Sequence, residues 1–200
     1  MIPKKDKIIT KKQLKEINFY ETLGVSKGVS TSSDFYRFKR VRQHIYGNSV
    51  LDVGCGRADF LKLIKPNYKI AGIEINRKRV EYCNKILGKN VVIIGNLEEK
   101  INLEDSSYDT IICMEVLEHL VNPKEALKEL TRISRKRIII TVPFNEKIRW
   151  VLCAHCGRYT PMYGHLHSFN KENIKNIIPD NARLIKIELI GNRLLDFLSG

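Results

Sequence analysis

Hydrophobic and polar positions change their period near residue 49. From there short β-branched runs alternate with amphipathic stretches: SVLDVG then RADFLKLIK, YKIAGIEI then RKRVEYCNKILG, then NVVIIG, then YDTIICM, PKEALKELTRIS and RIIITVPF. Short apolar runs bounded by turn residues predict buried strands, and the stretches between them carry apolar residues at helical spacing. The alternation predicts an α/β domain with a doubly wound, mostly parallel sheet. Asn76 and Gly88 are placed to open and close one helix, and Asn122, with Pro123 and Glu125 behind it, opens another. After the fifth strand, residues 144–168 predict no regular structure. A short helix follows from Asn170 to about Pro179, and then a final strand, RLIKIELIG.

Residues 1–48 form a different unit, an N-terminal helical arm or lid joined through the turn-rich GVSKGVSTSSD at 24–34 to a domain over 49–200. The arm holds eleven Lys and Arg against four Asp and Glu, so +7 of the net +13 lies in the first quarter of the chain. Such a front attracts RNA, an anionic membrane or a phosphorylated substrate, or is simply a solvated lysine-rich surface. No apolar run matches a signal peptide or a membrane span, which gives the expectation of a cytoplasmic protein. Five cysteines, three of them (Cys55, Cys83, Cys113) in apolar or motif-like stretches, predict reduced thiols rather than a secreted disulfide framework.

The turn LDVGCG sets Gly54 and Gly56 where a first strand passes into a helix, where glycine lets a ligand approach the backbone. A dinucleotide fingerprint would need a small residue where Asp59 stands, and no GK[ST] follows for a nucleotide triphosphate loop. Asp52 in the strand and Glu74 closing the next one, twenty positions after Gly54, instead suit a nucleoside, since a carboxylate can accept both ribose hydroxyls.

On these residues the chain resembles class I S-adenosylmethionine-dependent methyltransferases: VLDVGCGRADFL is similar to their first motif, IAGIEI to their second, and SYDTIICMEVLEHLVNP to the strand and loop that follow, across residues 49–143. The resemblance implies a Rossmann-like sheet with S-adenosylmethionine across the ends of strands one to four. Gly54 and Gly56 would face its methionine part, Asp52 the ammonium and Glu74 the ribose, with Ile75 and Met114 beside them and Asn96 and Leu97 at the adenine. Family members often have Asp where this chain has Asn96. Their seventh, antiparallel strand would have to come from NRLLDFLSG.

Methyl transfer asks mainly for alignment, and for a base when the acceptor is neutral. MEVLEHL offers Glu115, Glu118 and His119, which share one face if the turn is helical, and His119 suits a base near neutrality. An ExxEH of this kind is structural in many small-molecule methyltransferases. In small-RNA 2′-O-methyltransferases it joins a later histidine to hold Mg²⁺. Further on, CAHCGRYTPMYGHLH supplies Cys153 and Cys156 at CxxC spacing, then His165 and His167, the ligand count of a closed zinc site. A structural zinc knot ordering the 144–168 loop is the leading expectation. The alternatives are that His165 or His167 turns to the active site, and that these are solvated loop residues. The loop, with Phe144, Trp150, Tyr159, Met162 and Tyr163, is expected to wall the acceptor pocket.

Together these features predict a methyltransferase acting on a hydroxyl of a small-molecule or glycan acceptor. Two alternatives stand beside it: an RNA 2′-O-methyltransferase with a divalent metal, and a non-catalytic, cofactor- or zinc-dependent interaction protein.

Overall fold

The computed structural model describes residues 31–153 and 157–190. Five strands form the main sheet: β1 (Ser49–Val53), β2 (Lys69–Glu74), β3 (Val92–Ile94), β4 (Tyr108–Met114) and β5 (Ser134–Thr141), in the order β3-β2-β1-β4-β5. All four pairings are parallel. The chain leaves β1 toward β2 and β3 on one side and returns to β4 on the other. That reversal opens a crevice at the carboxyl ends of β1 and β4.

Helices cover both faces. Against one face lie α1 (Ser32–Arg42), α2 (Asp59–Ile64) and α3 (Arg77–Leu87), whose Phe38, Val41, Phe60, Leu61, Ile64, Val80 and Leu87 pack with Val50 and Ile112. Against the other lies α4 (Pro123–Ile133), whose Ala126, Leu127, Leu130 and Ile133 pack with Leu51, Val53, Ile111 and Cys113. Neighbouring residues of β1 and β4 thus serve opposite cores, as the two-residue strand period requires. Leu130 is fully buried, and truncating such a side chain to alanine costs roughly 2–5 kcal/mol.

Several local expectations hold. Asn76 accepts from the Arg79 N–H and Gly88 follows the last turn of α3. Asn122 stands before Pro123 at the start of α4, although its side chain makes no capping bond. Others are corrected. The end of the supposed linker is a helix start: Thr31 accepts from the Asp34 N–H while the Asp34 carboxylate accepts from the Thr31 N–H, a closed capping box. The rest of the arm, 1–30, lies outside the described residues. Asn170 accepts from the Glu172 and Asn173 N–H groups and closes a turn, so the expected helix shrinks to a 3₁₀ turn, Lys175–Ile177. Residues 183–190 form no strand; Leu184 and Ile185 are exposed, and Glu188 pairs with Arg40 of α1 and with His44 just beyond it. The strand expected from 192–200 lies outside the described residues.

Within 144–168 the structure has an antiparallel hairpin, β6 (Trp150–Leu152) with β7 (Tyr159–Pro161), and then a 3₁₀ turn, Met162–Gly164. Strands of three residues carry too little period to announce themselves. Among the described residues no helix is long and apolar enough to cross a membrane.

Candidate active site

At the end of β1 the chain turns through Gly54 (φ +76°) and Gly56 (φ +55°), a left-handed backbone that side chains rarely adopt. A Cβ on Gly54 would overlap Val116, so the bare backbone is also what lets the β1 and β4 loops close on each other. Glu74, only 4% exposed, is held at the end of β2 by two backbone donors, Gly56 N–H to Oε2 at 2.9 Å and Asn76 N–H to Oε1 at 3.0 Å. Each carboxylate oxygen keeps a second lone pair for a diol. Asp52 is buried in β1, and that burial, with the charge of Glu74 behind it, raises its carboxyl to about 7. A cationic group arriving beside Asp52 would restore its charge. These residues fit an amino-acid nucleoside such as S-adenosylmethionine.

The other expected contacts are placed as follows. Ile75 and Met114 are half-buried, Met114 against the core that contains Phe60. The Asn96 amide is engaged locally, accepting from the Glu98 N–H and donating to Glu99, while Leu97 is buried with Leu51 and Val53.

Beyond Met114 the chain does not continue into a helix. Glu115 sits at φ +54°, and a 3₁₀ turn, Leu117–His119, follows. The expected shared face of Glu115, Glu118 and His119 is therefore split by backbone geometry. Glu115 points to β5 and α1, accepting from Thr141 Oγ1 at 2.7 Å and lying 3.8 Å from Arg37 Nη1. Glu118 and His119 instead converge with His165, their ligand-type atoms within 4.8 Å of one another. The 165–167 segment is carried there by the Leu166 and His167 N–H groups, which both donate to the Glu118 carbonyl, at 2.7 and 3.2 Å.

The cluster is electrostatically tense. Glu118 is 0% exposed and neither carboxylate oxygen has a hydrogen-bond partner. Burial, then the charge of Glu115, pushes its carboxyl up to about 8. Burial and the neighbouring His165 lower His119 to about 4, so this imidazole is neutral at pH 7. His119 Nδ1 meets the Gly164 carbonyl at 3.4 Å, and His165 Nδ1 meets Glu146 at 2.5 Å. With Nδ1–H donating to the Gly164 carbonyl, Nε2 of the neutral His119 carries the lone pair. A carboxylate behind a histidine is also the arrangement that orients metal-ligating imidazoles.

Of the four residues proposed for zinc, three lie among the described residues. His165 belongs to the cluster just described, and His167 Nε2 meets the Leu120 carbonyl at 2.9 Å. Cys153 follows β6, where the Gly157 N–H donates to its carbonyl, and Cys156 lies outside the described residues. Sequence reasoning missed Glu146, which no motif marks, and Arg37, hidden in the aromatic DFYRF of the arm.

A family model described as a methyltransferase domain matches residues 34–181. A ubiquinone biosynthesis O-methyltransferase of Rickettsia bellii is 29% identical over 118 residues, 56% of this chain and 49% of that protein. The chain thus spans about half the length of that relative. A SAM-dependent methyltransferase of Archaeoglobus fulgidus shares the fold with a TM-score of 0.55 at 20% identity, over 81% of each chain. A Pyrococcus horikoshii protein does so with a TM-score of 0.59 at 15% identity, over 80% of this chain and 86% of its own. With the sheet order, the glycine turn and the buried Glu74 already in view, the match over 34–181 means that the chain belongs to the methyltransferase-domain family of class I S-adenosylmethionine-dependent enzymes.

Proposed function

We propose that the chain transfers a methyl group from S-adenosylmethionine to a hydroxyl of a small-molecule acceptor. The observation that carries this reading is the convergence of Glu118, His119 and His165 just past β4, in the turn whose preceding Val116 lies against Gly54. The cofactor would supply an electrophilic methyl on a sulfonium sulfur. Gly54, Gly56, Asp52 and Glu74 would hold it, and the chain's remaining task is to align an oxygen and take its proton. His119, neutral at pH 7, is placed to accept that proton at Nε2 while its Nδ1–H stays on the Gly164 carbonyl, as a weaker base than the ordinary imidazole expected from sequence, because burial and His165 lower it to about 4. The O-methyltransferase name of the Rickettsia relative supports oxygen as the nucleophile.

A second reading adds a divalent cation. Two unpartnered carboxylate oxygens and two imidazoles are a mixed O/N set able to hold a divalent cation, Mn²⁺, Fe²⁺ or Zn²⁺ more readily than Mg²⁺, which would lower the acceptor hydroxyl's pKa. The RNA alternative would use the same set, an ExxEH joined by a later histidine, here His165, and the chemical class of the labelled product separates the two acceptors.

The test is transfer of labelled methyl into fractionated lysate, with and without EDTA and with His119→Ala. Label in a low-molecular-weight fraction that the variant abolishes supports the proposal, and EDTA sensitivity supports the cation. Label confined to RNA, or tight cofactor binding with no transfer into any fraction, refutes it.

A further inference from the structure

The main sheet is electrically polar along its strands. Its carboxyl ends, at the crevice, carry Asp52, Glu74, Glu115 and Glu118. The amino ends carry the opposite sign: Lys65, Lys69 and Lys89 lie on the approaches to β2 and β3, and Arg135, Lys136 and Arg137 lie in the first half of β5. All the strands run the same way, so these cations gather on one rim. The length of β4 sets that rim about 20 Å from the crevice. Acids do not cancel it. Asp109 accepts from the Asn48 and Ser49 N–H groups and pairs with Arg135 at 2.9 Å, with Lys136 3.9 Å away, so one carboxylate faces two cations. Asp105 is taken up by Arg132 at 2.6 Å, and Glu104 is the further acid of this rim.

An aromatic ring stands among the charges. Tyr46 is 51% exposed, with the Lys136 ammonium 5.1 Å and the Arg137 guanidinium 5.3 Å from its ring centroid. Its backbone is pinned to β4, the N–H donating to Thr110 Oγ1 at 2.9 Å and that hydroxyl donating to the Tyr46 carbonyl at 2.6 Å. Arg137 is fixed in turn by the His44 carbonyl at 2.9 Å. From β2 to β5 the row of cations crosses three strand spacings, about 14 Å. A rigid exposed ring set in such a row suits single-stranded nucleic acid, whose bases stack on aromatic side chains while its phosphates meet Lys and Arg. Between the charges Asn48 and Asn67 are exposed, where a membrane-binding face would present apolar side chains.

We infer that this amino-terminal rim of the sheet binds a single strand of nucleic acid, with a base against Tyr46 and phosphates on Lys69 and Lys136. The strand so held is a partner on the side remote from methyl transfer. The assignment rests on the rim alone and stands apart from the acceptor reading above.

Fluorescence anisotropy of the full chain tests it, with a dye-labelled oligouridylate about 15 nucleotides long and the matching oligothymidylate. Affinity should fall as salt rises. Lys69→Gln and Lys136→Gln together should flatten the plot of log affinity against log salt by about 1.4, two phosphate contacts at about 0.7 each. Tyr46→Ala should weaken binding about tenfold at fixed salt. Lys128→Gln, an exposed lysine of α4 paired with Glu125, should change neither quantity, and thermal melting should show every variant folded. An unchanged slope in the double variant, or no binding by the wild type at low salt, would overturn the proposal. So would a loss from Lys128→Gln equal to that from the pair, because diffuse charge would then account for binding. Binding confined to vesicles of phosphatidylserine and phosphatidylcholine would overturn it in favour of a membrane. The relative affinity for the two strands tells RNA from DNA, and either preference upholds the site.

Discussion

Replacing Glu118 by glutamine should make the metal-free protein more stable at neutral pH. The carboxyl is wholly buried, its oxygens unpartnered, and its titration moves from an ordinary 4.5 to about 8 through burial and then the charge of Glu115. The folded pKa lies above the unfolded one, so the native state disfavours the ionised form. Stability is therefore full below about pH 4.5, declines as pH rises through the interval from 4.5 to 8, and is flat above it. Between pH 5 and pH 8 the difference amounts to roughly 3 kcal/mol at 1.36 kcal/mol per pH unit. For a chain of this size that corresponds to a melting shift of about 10 °C. Glutamine keeps the shape and carries no charge, so its curve lacks this decline. Asp52, also raised, titrates in the same window with the same sign, but it is common to both proteins and cancels in the difference. The assay is thermal melting of wild type and Glu118→Gln in EDTA from pH 5 to 8.5, then at pH 7.5 with added Mg²⁺ or Mn²⁺. The gap should widen with pH in EDTA, and the cation should raise only the wild type. Parallel curves in EDTA would refute the reasoning.

Three shorter expectations follow from the same geometry. Gly54→Ala forces a side chain into a left-handed backbone against Val116, so it should cost roughly 1–3 kcal/mol of stability and abolish S-adenosylhomocysteine binding, whereas Gly56→Ala, with open space around its Cβ, should be the milder change in both measurements. Binding of S-adenosylmethionine at pH 6.5 should release about three quarters of a proton as Asp52 ionises against the ammonium; calorimetric enthalpies that do not change between phosphate and Tris would contradict this. If the CxxC segment holds zinc, elemental analysis should find about one ion per chain, lost in a Cys153→Ser, Cys156→Ser double variant, and a well-folded, zinc-free wild type would end that proposal.

What the sequence disclosed and what it hid divide along a physical line. The central strands β1 and β4 are buried on both faces, so each appears as a continuous apolar run, and the helices between the strands are marked by residues that act locally, Asn76 and Pro123 among them. The glycine turn and the buried carboxylate facing it were legible for the same reason. Gly54, Gly56 and Glu74 lie within one β-turn-α-β passage, where spacing along the chain fixes spacing in the fold. The acceptor end has no such rule. His165 and Glu146 reach Glu118 and His119 because a hairpin of three-residue strands folds back and two amides find the Glu118 carbonyl. Neither event leaves a period or a cap in the sequence.

The zinc expectation shows the consequence of that difference. Cys153, Cys156, His165 and His167 suggest one site because they are close along the chain, and a closed tetrahedral centre would draw all four together. The histidines alternate along an extended stretch, however, and neighbours two apart share a face only where nothing twists the chain between them. Here each imidazole meets a different partner, His165 the Glu146 carboxylate and His167 the Leu120 carbonyl. Those partners lie far apart along the chain, Glu146 ahead of β6 and Leu120 at the end of the 117–119 turn. The segment serves to stitch the loop across the end of β4, and the strain of that closure is visible at Glu115, Asn145 and Tyr163, all held at positive φ around the same cluster. Backbone held away from its preferred conformation, beside a buried carboxyl without a partner, is the arrangement expected where ligand contacts rather than internal packing complete the structure.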